Sequence, residues 1–190
     1  MEKLPRDLQG LLDEIDRLDR AGDTLSAALS DAQFHWQPDG GRAWSVAHCL
    51  EHLATANRVY GSHIRGAIDA ARSHGWTRKG SISSGVFGRW FINSMEPPPR
   101  RRTKAPGKIR PGPIETRAII LRHYHDAHDL VRRLIVDAAE IDVNRAKFRN
   151  PFIPLVRVRV GTGLRIVAAH DRRHIWQAEQ VRLKPGFPSA

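Results

Sequence analysis

Four long stretches of this chain repeat apolar residues at three- and four-residue steps, and no run alternates apolar and polar residues with period two. That pattern commits the chain to helices that bury one stripe against other helices. The first stretch covers residues 5–29, with Leu8, Leu11, Ile15, Leu18, Leu25 and Leu29 on one face and Asp13, Asp16, Arg17 and Arg20 on the other. Gln37-Pro38-Asp39-Gly40-Gly41 then breaks the chain. The second begins after Trp44-Ser45, where the Ser45 hydroxyl is placed to cap an orphan amide, and keeps helical spacing through Val46, Leu50, Leu53, Tyr60, Ile64 and Ile68 to about residue 74. A short helix fits between residues 82 and 95. The third long helix spans residues 114–139 on the stripe Ile120, Tyr124, Ala127, Val131, Leu134 and Ala138. After a linker with Pro151 and Pro154, the fourth covers residues 163–183 and stops before Pro185-Gly186. The expected fold is all-α, a four-helix bundle in one domain over residues 1–190. A long crossover between the second and third long helices lets neighbouring helices run parallel.

No stretch of about 18 uncharged apolar residues occurs, and the N-terminus lacks the apolar centre of a signal peptide. The expectation is a cytoplasmic protein with no membrane partner. One cysteine, Cys49, excludes an internal disulfide and any cysteine-cluster metal site. The formal charge is +11, and residues 97–113 alone supply six cations (Arg100, Arg101, Arg102, Lys104, Lys108, Arg110) and no acid, leaving +5 for the rest. Prolines keep this stretch from being helical, and its cations suit an exposed loop. None of the four helices joins a basic face to a groove-reading motif, so the charge is expected to attract anions locally and not to recognise a nucleic-acid sequence.

The chain has ten histidines. His35 and His74 sit at helix ends and read as exposed polar residues. His123, His125 and His128 share the third helix, where His123 and His125 point about 200° apart and cannot share an ion. His170 and His174 differ. Spaced i, i+4, they project about 40° apart and about 6 Å along the axis, on the stripe that also holds Gly163, Val167, Gln177 and Val181. Two imidazoles on a buried stripe need a partner, and a metal ion suits their spacing. A third ligand must come from another helix, and the second offers His48 and His52. The run His48-Cys49-Leu50-Glu51-His52 can be read as H-x-x-E-H, in which both histidines bind zinc and the glutamate is the base. The other reading takes one histidine from this helix and two from the fourth. Glu51 points about 100° away from His52 and suits a salt-bridged surface residue better than a base.

Trp44-Ser45 ahead of a helix carrying His52-Leu53, followed late in the chain by His170-Asp171-Arg172-Arg173-His174-Ile175-Trp176-Gln177, resembles the DinB/YfiT-like superfamily of metalloenzymes. Lys104-Ala105-Pro106 with Pro111 before the third helix, and Asn150-Pro151-Phe152 before the fourth, resemble one branch of it. The order and spacing of these motifs carry the likeness over nearly the whole chain.

The resemblance implies a four-helix bundle holding one divalent ion on three side chains, one from the second helix and two from the fourth: His52, His170 and His174. His48 falls where relatives often carry an acid, so it is expected to support the site without ligating. The resemblance further implies a metal-dependent enzyme, a hydrolase or a low-molecular-weight-thiol transferase, acting on a small molecule and commonly dimeric. A set of three neutral imidazoles leaves the ion an open position, and it suits zinc or nickel first, with iron or another divalent ion also compatible. An anionic or thiol-containing substrate would suit the basic loop. Two other classes stay open at this level: a non-catalytic, stress-related bundle that binds a metal or ligand, and a nucleic-acid-associated protein. No general base is identified.

Overall fold

The computed structural model describes residues 3–99, 104–153 and 155–189. Helix α1 (Arg6–Ala27) buries Leu8, Leu11, Ile15, Leu18 and Leu25, the stripe its spacing predicts. Two short turns of helix follow, α2 (Asp31–His35), opened by a Ser30/Gln33 capping box, and α3 (Pro38–Gly41), in which Asp39 and Gly40 take left-handed backbone angles. Helix α4 (Val46–Ser73) starts where Ser45 predicts, its hydroxyl accepting the His48 amide at 3.2 Å. Then come α5 (Gly85–Met95), α6 (Arg117–Asp137) and α7 (Val160–Val181).

The long helices α1, α4, α6 and α7 form the bundle. Their relative directions follow from paired residues. Along α4 and α6, Glu51 meets His123, Gly61 approaches Leu130, and Arg65 and Arg72 both pair with Asp137, so the two helices run parallel. Helix α7 is antiparallel to α4, with Asn57 bonded to Asp171 and Ile64 beside Gly163. Helix α1 is antiparallel to α6, since Arg117 donates to the Ser26 carbonyl and Arg132 meets Asp16. The expected parallel neighbours are therefore α4 and α6, joined by the long crossover.

The core between them holds Leu50, Leu53, Ile64, Ile120, Tyr124 and Leu134, each fully buried. At about 1.5–3 kcal/mol for each such side chain removed from water, these stripes and not helix propensity hold the bundle.

Two departures from the sequence reading matter. Before α7 lies a small antiparallel hairpin, β1 (Lys147–Arg149) and β2 (Arg157–Arg159), pairing Phe148 with Val158. Each strand turns only one residue inward, too few for a period-two pattern to show. Gly163 lets the hairpin reach α7, because a Cβ there would stand 2.7 Å from the Phe148 ring. The crossover also differs from a wholly exposed loop. Lys104, Lys108 and Arg110 are exposed, but a single 3₁₀ turn, Gly107–Ile109, buries Ile109 to 3% exposure against the bundle. Arg100, Arg101 and Arg102 lie outside the described residues.

Candidate metal centre

His52 faces α7 from the second turn of α4, and His170 and His174 face it from adjacent turns of α7. The structure brings the three imidazoles together, with a ligand atom from each within 4.8 Å of the others. His52 Nε2 and His170 Nε2 are 3.2 Å apart, and the ring centroids of His52 and His174 are separated by 4.4 Å. Two nitrogens at about 2.05 Å on a tetrahedral ion stand about 3.3 Å apart, so the His52–His170 pair matches what a shared divalent ion requires. His52 and His174 are buried and His170 is half-buried.

The electrostatics favour neutral rings. Burial pushes His174 and His170 well below the ordinary imidazole range, and the neighbouring imidazoles and the Arg173 guanidinium push the same way. Burial also lowers His52, against the opposing pull of the Ile109 carbonyl and Asp171, with Arg173 adding to the depression. Neutral imidazole is the form that ligates. The backbone sets the tautomer of His52. Its Nδ1 lies 2.6 Å from the Ile109 carbonyl oxygen, which can only accept, so the proton sits on Nδ1 and the Nε2 lone pair faces the other histidines. His174 Nδ1 is buried with no hydrogen-bond partner among the described residues. A buried ring nitrogen left without a partner calls for one, and an ion supplies it.

Trp44 closes one side, its ring centroid 4.8 Å from that of His52 and 5.9 Å from that of His174. The other side opens into a cavity of about 1140 Å³ that runs between α4 and α7 beneath the crossover and includes all three imidazoles in its wall.

The H-x-x-E-H constellation does not assemble. Glu51 points away, with His123 Nδ1 at 3.0 Å and Arg58 at 3.6 Å. His48 Nδ1 sits 2.7 Å from the Ser45 hydroxyl, outside the cluster, so its role is to hold the start of α4. His74 is exposed as expected, whereas His35 is half-buried between the Asp31 and Glu115 carbonyls, and both rings bond to main-chain oxygens, away from the cluster. Burial pushes the Cys49 thiol far up, leaving it a neutral core residue.

A feature the periodicity did not expose lies behind the centre. His128 on α6 and Asp171 on α7 are both fully buried, with His128 Nε2 3.3 Å from Asp171 Oδ2, which also accepts from Asn57 at 3.0 Å. Burial pulls the His128 imidazole down, but Asp171 and the Tyr124 carbonyl outweigh it and hold the ring above its ordinary value. Asp171 sits inside the His170–His174 motif, and a carboxylate one residue from a buried histidine was the available signal.

No curated protein matches the chain in sequence. A family model described as the DinB superfamily matches residues 14–178, and with the bundle and the three-histidine cluster in place, the chain belongs to that metal-binding superfamily.

Proposed function

We propose that this protein is a metal-dependent enzyme whose single divalent ion is held by His52, His170 and His174, and that it works as a hydrolase or as a transferase of low-molecular-weight thiols. One observation carries the reading: three neutral imidazoles from two helices converge, two of their nitrogens 3.2 Å apart, in the wall of a large cavity. The donor set suits zinc or nickel, with iron also compatible. A divalent ion held by these three residues would supply Lewis acidity, enough to polarise a carbonyl or to acidify a water or a thiol.

The chain's own residues do the rest. The Ile109 carbonyl fixes the orientation of His52, Trp44 shields His52 and His174 from solvent on one side, and Arg173 disfavours protonation of all three rings. Glu51 is engaged elsewhere and does not serve as base. The same reading takes the protein to be a cytoplasmic homodimer acting on a small molecule, with no membrane or sequence-specific nucleic-acid partner.

Elemental analysis of the untagged protein tests the core of the proposal, followed by a screen of thiols with electrophiles and of simple esters and amides. The expected result is one divalent ion per chain, lost in His170→Ala/His174→Ala, and turnover that is lost with it. Full stoichiometric metal in that double variant overturns the ligand set. Stoichiometric metal without turnover of any compound favours the non-catalytic binding bundle.

A further inference from the structure

The cavity wall is not uniform along its length. Because α4 and α7 are antiparallel, moving from His52 toward Tyr60 on α4 is moving from His174 toward Ile166 on α7. That end is walled by Tyr60, Phe91, Phe152 and Ile166, with Asn150 as a polar group and no charged residue among the described lining residues there. The rings of Tyr60 and Phe152 stack there with centroids 5.9 Å apart. In the opposite direction the wall follows α7 past Gln177 and Val181 to Lys184, and Arg42 from the turn before α4 lines the same cavity. Lys104 and Arg110 from the crossover and Arg173 beside the histidines complete a set of five cations, against which Asp39 is the one acid among the described lining residues.

Helix rise sets the scale. Eight residues separate His52 from Tyr60 and seven separate His174 from Val181, so the apolar end lies about 12 Å from the histidines and the cationic end about 10 Å beyond them. A cavity whose cations lie from the histidines outward and whose far end is apolar draws anions to the first part and apolar bodies to the second.

From this polarity we infer that the cavity takes an amphipathic organic anion about 20 Å long, its apolar or aromatic body between Tyr60 and Phe152 and its anionic group between Arg42 and Lys184. Its midsection then passes the three histidines. The position of the reacting centre rests on the metal reading above, whereas the charge selectivity does not.

The test uses 11-(dansylamino)undecanoate, an aromatic group joined by an apolar chain to a carboxylate, and its neutral carboxamide. Both are titrated into the full chain by dansyl fluorescence with excitation through tryptophan. The chelator-treated protein is used so that the carboxylate has no ion to bind, and His170→Ala/His174→Ala serves as a second metal-free form. The carboxylate is expected to bind at least about tenfold more tightly than the amide in low salt, with the advantage shrinking as salt rises. Arg42→Gln/Lys184→Gln should abolish that difference while leaving metal stoichiometry intact, and Phe152→Ala should weaken both ligands alike. Equal affinity for carboxylate and amide in both metal-free forms, or a difference that survives Arg42→Gln/Lys184→Gln, overturns the inference. Absence of metal from the untreated protein counts against the ligand set alone.

Discussion

His52 and Ile109 are joined by the shortest contact at the centre, 2.6 Å from imidazole Nδ1 to main-chain oxygen, so a loop 57 residues away fixes which nitrogen of His52 faces the other two histidines. The bond depends on Ile109 staying buried. Ile109→Ala, which weakens that anchor, is expected to lower metal affinity about tenfold, the low end for loss of a group that orients a ligand. Helical content should be unchanged because Ile109 lies outside the four bundle helices. Competition with a chromophoric chelator, read beside far-ultraviolet circular dichroism, checks both. Unaltered metal affinity would separate the loop from the centre.

The buried His128–Asp171 pair predicts an asymmetric response to mutation. His128→Leu leaves the buried Asp171 carboxylate with Asn57 as its one side-chain hydrogen-bond donor among the described residues, and the cost should be about 3–5 kcal/mol. His128→Leu/Asp171→Leu removes both polar groups and should recover at least half of that. Denaturant unfolding of the two variants and of Asp171→Leu gives the coupling directly, and additive losses would contradict it.

Two glycines on α1 should respond with opposite sign to the same substitution. A Cβ on Gly22 would lie 2.7 Å from the ring of Tyr124, which is fully buried and pinned by donation of its hydroxyl to the Leu18 carbonyl at 2.8 Å. Gly10 is exposed with nothing within 4 Å of its Cβ position. Replacing glycine by alanine inside a helix gains about 0.5–1 kcal/mol, whereas overpacking costs about 1–3. Gly10→Ala should therefore raise the melting temperature and Gly22→Ala lower it.

Asp7 predicts part of the acid limb of stability. Burial raises its carboxyl, but the Ile82 amide at 2.7 Å and the Arg78 guanidinium at 2.8 Å more than reverse this, so its pKa is lower folded than unfolded. A carboxyl depressed in this way stabilises the fold above the ordinary aspartate value of about 3.9, and that stabilisation fades as pH falls through the folded value. Asp7→Asn should cost about 1–3 kcal/mol at pH 7, and its unfolding curve should converge on that of the parent below about pH 4. A constant difference from pH 7 to pH 2 would show that charge is not the cause.

How much of this was open to reading from the chain varies with the kind of group involved. Side chains repeated along one helix announce themselves, so Ser45 and the i, i+4 pair His170 and His174 were legible from spacing. His52 was singled out over His48 only by likeness to a family, because both occupy i, i+4 positions and spacing cannot say which one turns toward α7. The structure separates them: His48 bonds Ser45, and His52 meets the other two. Ile109 acts through a carbonyl that every residue possesses, so its side chain gave no hint. The His128–Asp171 pair spans two helices 43 positions apart, and its two members become partners only when α6 and α7 pack.

That the crossover reaches the centre with main chain has a consequence for how such a protein diversifies. The orientation of His52 asks of this segment a backbone position and one apolar anchor. Lys104, Lys108 and Arg110 are exposed around that anchor and are free of the duty. Lys104 and Arg110 also line the cavity, so substitution at those two positions can change the charge of its wall while the histidine cluster keeps its tautomer.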